Sequence, residues 1–165
     1  MLREVMAVII QTSLGDLKVE LACDLVPKLS ENFLALAASG YYEGTKFHRN
    51  IRGFMVQGGD PTGKGKGGEC IWGGKMADEF HKTLKHDRRG VVSMANKGPD
   101  TNGSQFFITY AKHPHLDRVY SIIGHVIHGM EVLDAIEKVP VGKKNRPVTD
   151  IIIKGVKILA NPLAK

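Results

Sequence analysis

The sequence has few cysteines and no long apolar run. Its two cysteines, Cys23 and Cys70, stand far apart and form no CxxC pair, which argues against a disulfide framework or a zinc knuckle. The apolar stretch at residues 5–10 is too short for a secretory core or a membrane span. Because retention and lipidation motifs are also absent, we expect no membrane partner and a reducing location, the cytoplasm or the nucleus.

Motifs for metal, phosphate and serine chemistry are lacking too. The glycine-rich segment around Gly63 does not have the GxxxxGK[ST] form, and no helix pattern follows it. His113 and His115 stand close together, but no third ligand has metal-site spacing. Ser93 and Ser104 lack a GxSxG context. We therefore expect neither a metal nor a cofactor.

The charge is basic without being concentrated. Lysine and arginine total 23 against 17 acidic residues, for a net charge of +6. The densest basic run, residues 82–89, contains Asp87 and has little aromatic interleaving, so no dedicated nucleic-acid site is indicated. RNA binding through the basic surface stays an alternative, although RNP-like aromatic motifs are absent.

Short strands dominate what is present. At 165 residues the chain suits one domain, residues 1–165 with a core at about 5–160. The alternation of Val8 and Ile10, and then of Leu17 and Val19, predicts a hairpin with its turn at Gly15. Helical spacing predicts helices at 29–39 and 129–139. Further strands are expected at residue 47 and at 54–56, 91–95, 106–109, 120–127 and 151–159.

Eight short strands need edges that are closed or covered. The expected fold is therefore mostly β, a closed eight-stranded antiparallel barrel capped by two α-helices. The glycine-rich segment 58–74 is predicted to be a long functional loop.

Three sequence blocks carry a family resemblance. They are FHRNIRGFMVQGGD at 47–60, SMAN at 93–96 and NGSQFF at 102–107. In order and separation they closely resemble the signature blocks of the cyclophilins, and the resemblance runs from about residue 5 to residue 159. Details at 41–42, 60–63, 71–73, 114–116 and 146–147 look most like the small cyclophilin-like isomerases of the cyclophilin J subgroup.

The resemblance implies a peptidyl-prolyl cis/trans isomerase whose partners are proline-containing peptides and proteins. The reaction has no covalent step, since only a rotation barrier of roughly 18–20 kcal/mol must be lowered. Millisecond turnover requires a reduction of roughly 6–7 kcal/mol. Arg49 is the implied catalytic residue, because a guanidinium can stabilise the carbonyl oxygen or the prolyl nitrogen of a twisted amide.

By the same resemblance, a further set of side chains binds the substrate. Gln57, Asn96 and Gln105 are expected to bond its backbone, while Gly65 and Ala95 keep the groove wall low. His48 is expected to be structural. The implied substrate-binding residues are Phe54, Met55, Gln57, Gly65, Ala95, Asn96, Lys97, Gln105, Phe107, His115, Leu116 and Tyr120, of which Phe54, Met55, Phe107 and Leu116 would hold the proline ring.

Two departures from the family pattern bear on ligands. His115 stands where many cyclophilins have a tryptophan that hydrogen-bonds cyclosporin, and Val119 and Tyr120 replace a usual lysine and histidine. We expect weak cyclosporin A binding with isomerase activity retained. Gly74, Lys75 and Lys97 would guard the neighbouring pocket, which receives the residue two before proline, and two ammonium groups there favour acidic side chains.

A second class of function stays open. The same groove would also suit a scaffold module that holds proline-containing segments with little catalytic role. By resemblance, the subgroup is associated with the spliceosome, so spliceosomal proteins are candidate partners. A monomer is the default expectation, since no association motif is visible.

Overall fold

Nine strands and two α-helices make up the computed structural model, which describes residues 6–159. The strands are β1 Met6–Thr12, β2 Gly15–Leu21, β3 Thr45–Lys46, β4 Arg49–Ile51, β5 Met55–Gly58, β6 Val91–Met94, β7 Phe106–Thr109, β8 Ile122–His128 and β9 Ile152–Leu159. The helices are α1 Pro27–Ala38 and α2 Met130–Glu137. Val5 and residue 160, where the sequence placed the ends of the core, lie outside the described residues.

All strands belong to one antiparallel sheet. Its order is β3-β9-β1-β2-β8-β6-β7-β5-β4, and it curves into a half-barrel with α1 against β9 and α2 against β2. The expected closed barrel of eight strands is therefore wrong in its count and its closure. The sequence showed one strand around Phe47, whereas Phe47 and His48 interrupt the pairing and leave β3 and β4 at opposite ends of the sheet. A single bridge pairs Lys46 of β3 with Asp60, which follows β5.

The β1–β2 hairpin forms as the alternation predicts. Thr12 pairs with Gly15 across the turn, and the Thr12 hydroxyl donates to the Gly15 carbonyl at 2.6 Å. Gly15 has a φ of +131°, and a Cβ there would come within 2.7 Å of Val132 of α2. Only glycine satisfies both the backbone angle and this close approach.

Each helix buries one apolar stripe. Leu29, Phe33 and Leu36 of α1 are buried, as is Leu133 of α2. The α1 N-terminus has no side-chain cap of its own, and the Leu29 amide instead donates to Glu79 Oε1 at 2.6 Å. None of the helices among residues 6–159 is long and apolar enough to cross a membrane.

Aromatic rings fill the core beside the long loop. Phe106 meets Phe33, Tyr42 and Phe47 edge-on, with ring centroids 5.5–6.0 Å apart. The Tyr42 hydroxyl donates to the Ser104 carbonyl at 2.8 Å, and burial raises the pKa of this phenol. Because neighbours on a strand face opposite ways, Phe106 in this core directs Phe107 to the other face of β7.

Candidate active site

A row of side chains crosses four strands on that other face. Arg49 of β4 lies opposite Gln57 of β5, and Gln57 lies opposite Phe107 of β7. Phe107 in turn lies opposite Ser93 of β6. Directly paired residues share a face, with Cβ atoms about 4.5–5.5 Å apart. Strand pairing alone therefore places a cation, an amide and an aromatic ring side by side.

Apolar side chains on this face form a cluster separate from the main core. Met55, Phe107 and Leu116 are its buried members, and Phe54 and Tyr120 pack against them. They border a cavity of about 330 Å³, which we call the apolar pocket. The apolar pocket is lined by Arg49, Phe54, Met55, Gln57, Gly65, Ala95, Asn96, Lys97, Phe107, Leu116 and Tyr120. The residues expected from the blocks thus converge on one concave surface.

Phe107 is held between two rings. Tyr120 meets it edge-on with centroids 5.3 Å apart, and His86 lies nearly parallel to it at 6.1 Å. The fully buried His86 has Nδ1 2.8 Å from Asp117 Oδ1 and Nε2 3.0 Å from Ser93 Oγ. Burial lowers the pKa of His86 despite the carboxylate, so we assign a neutral ring whose Nδ1–H donates to Asp117.

The loop that follows β5 is organised by one buried carboxylate. Asp60 is fully buried and accepts the amides of Thr62, Gly65 and Gly67 at 2.6–3.1 Å. Burial raises the pKa of this carboxyl, but the hydrogen bonds from Thr62, Gly67 and Gly65 outweigh it, and the net pKa is lowered. Arg146 secures the outer side of the loop by donating to the carbonyls of Gly63 and Lys64.

The loop connects to the groove through two glutamines. Gln105 Nε2 donates to the Gly67 carbonyl at 2.8 Å, and Gln57 Nε2 donates to Gln105 Oε1 at 2.9 Å. A chain of hydrogen bonds therefore runs from Asp60 to the centre of the row. Gln105 lines the pocket beside the apolar pocket.

This second pocket is rich in lysine, and we call it the lysine pocket. Lys66, Lys75 and Lys97 line it, and the Lys75 ammonium donates to the Gly68 carbonyl at 2.8 Å. Gly65, Gln57 and Asn96 line both pockets, so the two are continuous. Gly74 lines neither pocket: its carbonyl accepts the Cys70 amide and closes a turn, and its expected part in guarding the pocket stays a prediction.

The Arg49 side chain is exposed at the edge of the row. Within residues 6–159, no hydrogen bond or ion pair engages its guanidinium, so its donors remain available to a ligand. Arg49 also stands near His48, whose pKa is lowered by burial first and also by the charges of Arg146 and Arg49. The geometry can bind an apolar ring and present a cation to a polar group beside it.

Comparison with known proteins shows to which family this chain belongs. The model of the family described as cyclophilin type peptidyl-prolyl cis-trans isomerase/CLD matches residues 7–158. The chain is 63% identical to peptidyl-prolyl cis-trans isomerase CYP18-1 of Arabidopsis thaliana, over 96% of this chain and 99% of that protein. The chain belongs to the cyclophilin-type peptidyl-prolyl cis/trans isomerases.

Further relatives match this cyclophilin over nearly its whole length. Human peptidyl-prolyl cis-trans isomerase-like 3 is 60% identical over 97% of this chain and all of its own. A crystal structure of a cyclophilin type isomerase of Cryptosporidium parvum is 54% identical, with a TM-score of 0.93, and covers 96% of this chain and 99% of that one. The same C. parvum protein was also solved in the presence of the dipeptide Ala-Pro, with a TM-score of 0.92. Enzyme class and family, as expected from the sequence blocks, are confirmed.

Two residues expected to bind substrate in this cyclophilin, Asn96 and His115, have side chains that are engaged within the protein. The Asn96 side chain donates to the Val119 carbonyl at 2.8 Å and accepts the Gly98 amide, so it is engaged within the protein. His115 lies outside the apolar pocket and stacks on Phe54, with centroids 6.3 Å apart and a 29° tilt. A direct contact with the proline ring is therefore not favoured for His115.

Gly65 lies close against the His48 ring in this cyclophilin. Gly65 has a φ of +86°, and a Cβ there would approach His48 Nε2 to 3.0 Å. The buried imidazole thus supports the low wall of the groove from beneath, in agreement with the structural role expected for it.

Several functional positions were not found from the sequence. Lys66 lines the lysine pocket, and Asp60, His86 and Arg146 support the groove from behind. The sequence block contained Asp60, but its partners lie in a loop whose path no periodicity predicts. Among residues 6–159, no group of three His, Cys, Asp or Glu side chains is placed to hold a metal.

The Asp60→Asn variant tests the support of the loop. The asparagine NH2 group cannot accept the Gly65 and Gly67 amides that Asp60 Oδ2 accepts, so two charge-assisted hydrogen bonds are lost. We therefore expect a decrease of about 2–4 kcal/mol in the free energy of unfolding at pH 7. The Asp60 pKa is lower in the folded protein than in the unfolded chain, where it is about 3.9. Its stabilising contribution is therefore complete above that value and is lost as the pH falls through the folded pKa.

Denaturant unfolding from pH 7 to pH 3 measures this difference, with the exposed Asp150→Asn variant as control. The gap between wild type and Asp60→Asn should shrink below about pH 4. A gap that stays constant with pH would contradict a charged, hydrogen-bonded Asp60.

Proposed function

We propose that this cyclophilin isomerises X-Pro bonds with Arg49 as the catalytic residue and the apolar pocket as the seat of the proline ring. The observation that carries the proposal is the cross-strand row in which Arg49, Gln57 and Phe107 share one face. The C. parvum relative solved in the presence of Ala-Pro supports a proline-containing peptide as the ligand.

The chemistry of the reaction needs no more than this arrangement. As the amide twists, its nitrogen lone pair leaves conjugation, and the nitrogen becomes a better hydrogen-bond acceptor. The Arg49 guanidinium, free of partners in the described part of the chain, gains most when the amide is twisted. An interaction that is stronger in the transition state than in the bound peptide accelerates rotation.

The remaining polar groups hold the peptide while it rotates. Gln57 is pinned through Gln105 to Gly67, so its amide is ordered before a substrate arrives. Such pre-organisation removes the cost of fixing the side chain on binding. The Asn96 side chain is occupied, and its contribution to substrate binding is assigned to its backbone.

The Arg49→Ala variant is the experiment for this proposal. We expect kcat/KM for a short Ala-Pro peptide to decrease by about a hundred- to a thousandfold, because one preorganised donor is lost. Arg52→Ala removes an exposed arginine from the adjacent β4–β5 turn and is the matched control. Isomerisation is measured by exchange NMR, and equal rates for Arg49→Ala and Arg52→Ala would reject Arg49 as the catalytic residue.

We further propose that the lysine pocket selects acidic or phosphorylated side chains two residues before the proline. Three ammonium groups, Lys66, Lys75 and Lys97, line the pocket, and none of the described residues lining it carries a carboxylate. Lys75 is fixed by its bond to Gly68. A like charge entering this pocket would be repelled, so lysine and arginine are disfavoured.

A pair of peptides tests this selectivity. The kcat/KM of Glu-x-Pro should exceed that of Lys-x-Pro by about tenfold at low salt. This ratio should fall severalfold at about 1 M salt, where the Debye length is about 3 Å. Lys97→Ala should reduce the ratio, whereas Lys64→Ala, the same charge change outside the pocket, should not. Equal efficiencies for the two peptides at both salt concentrations would discard the proposal.

We propose that cyclosporin A binds weakly because residue 115 is a histidine. An imidazole that stacks on Phe54 lies outside the apolar pocket and offers neither an indole N–H nor an equally broad apolar face. We expect His115→Trp to strengthen cyclosporin A binding by about 1–3 kcal/mol, measured by calorimetry. An affinity equal in both proteins would show that residue 115 does not limit binding of the drug.

A scaffold role with little catalysis is the alternative, and an association with the spliceosome is proposed only from the subgroup resemblance. We also propose a location in the nucleus or the cytoplasm. Replacing the chromosomal gene with Arg49→Ala separates the two roles. A cellular function that survives without isomerase activity supports the scaffold, and one that is lost supports catalysis.

A further inference from the structure

A third cavity continues beyond the lysine pocket. It measures about 580 Å³ and runs between the start of α1 and the turn after residue 70. Its walls include Lys28 and Glu31 of α1, Trp72 of the turn, and Met76. We call it the Trp72 groove. Nothing in the isomerase chemistry described above uses it.

The turn that presents Trp72 is rigidly built. The Cys70 amide donates to the Gly74 carbonyl at 2.9 Å, and the Gly73 amide donates to the Cys70 carbonyl at the same distance. The Ile71 amide donates to Oδ1 of the fully buried Asn32, whose Nδ2 donates to the Gly103 carbonyl. This backbone is anchored to the protein interior, so the tip of the turn has a fixed position.

Two large apolar side chains are nevertheless exposed at that tip. Trp72 is 58% exposed and Ile71 is 37% exposed. A solvent-exposed tryptophan on an ordered backbone keeps apolar surface in water that a partner can bury. Tryptophan is also among the residues that most often dominate binding energy at interfaces.

Asp78 and Glu79, two of the three acidic residues that line the groove, are engaged within the protein. Asp78 accepts bonds from Asn102, Ser121 and the Asp100 amide. Glu79 caps α1 through the Leu29 amide. Lys28 and Glu31 of α1 and Lys75 also line the groove, and between these charges it offers an incoming chain the apolar surface of Trp72 and Met76.

The Trp72 groove adjoins the substrate groove at one shared residue, Lys75. Lys75 lines both the lysine pocket and the Trp72 groove, and its ammonium is held at Gly68 on the lysine-pocket side. The three cavities thus follow one another from the apolar pocket to Trp72. A client chain that fills the first two would reach the third in the direction leading away from the proline towards its own N-terminus.

We propose that the Trp72 groove is an extended substrate subsite that binds a large apolar or aromatic side chain of the same client chain, several residues before the proline. This inference rests on the proposed direction of the peptide in the isomerase groove. It makes the enzyme selective for longer sequences in which an apolar residue, an acidic residue and a proline follow in that order.

A peptide scan tests the subsite. Each peptide carries one phenylalanine, placed at a different position from roughly three to seven residues before the proline, and serine at the other positions. In an extended chain with a rise of about 3.3 Å per residue, this series moves the phenylalanine stepwise away from the proline. At one or two of these positions kcat/KM should exceed that of the all-serine peptide by about tenfold. Trp72→Ala should abolish this gain and leave the rate on a short Ala-Pro peptide unchanged.

Control and binding measurements complete the test. Val148→Ala, which removes exposed apolar surface away from all three cavities, should keep the gain. Because Trp72 is the only tryptophan in the chain, its fluorescence should shift with the favoured long peptide and not with Ala-Pro. A gain below twofold at every position, or one that persists in Trp72→Ala, overturns the subsite.

These outcomes are distinguishable from failure of the isomerase proposal. If Arg49 were not catalytic, Arg49→Ala would retain its rate on Ala-Pro, whereas the phenylalanine gain and the Trp72 fluorescence shift would be unaffected. If only the subsite fails, Ala-Pro isomerisation still depends on Arg49 while the long peptides gain nothing.

Discussion

The fully buried carboxylate of Asp60 is the interaction on which the groove depends. It stands just after β5, where its residue bridges to Lys46 of β3, and it accepts the amides of Thr62, Gly65 and Gly67. Through Gly67 this order passes to Gln105 and then to the cross-strand row. A long glycine-rich loop would otherwise lose much conformational entropy on forming a defined wall. One satisfied charge therefore shapes both the apolar pocket and the lysine pocket.

The sheet provides the second half of this arrangement. Strand β7 directs Phe106 to the main core and Phe107 to the groove, so the packing that stabilises the fold also positions the substrate surface. Behind Phe107, the buried His86 is held by Asp117 and Ser93, which fixes the floor of the pocket. Arg49, by contrast, is left exposed at the edge of the row. Rigid apolar walls and an available cation suit a reaction that twists a bond without breaking one.

Much of this was predictable from the sequence, and the rest has a physical reason. Period-two alternation gave the β1–β2 hairpin, and helical spacing gave α2, because both are local patterns. The split between β3 and β4 was missed, since Phe47 is apolar and buried like a strand residue although the pairing is interrupted there. The bond from Arg146 to Gly63 joins distant segments, and no local pattern encodes it. That Gly74 lines neither pocket was not visible in the motif, because alignment gives a position in the chain but not the surface that the backbone faces.

As proposed, Arg49 acts on the twisted amide rather than on the bound peptide. The most direct test compares Arg49→Lys with the wild type, measuring by NMR both the Kd of an Ala-Pro peptide and its cis/trans exchange rate at saturation. We expect the Kd of Arg49→Lys to stay within about threefold of the wild-type value and its exchange rate to be at least about tenfold slower, because lysine keeps the charge but not the planar fork of donors. An unchanged exchange rate at saturation, with only the Kd weakened, would contradict it.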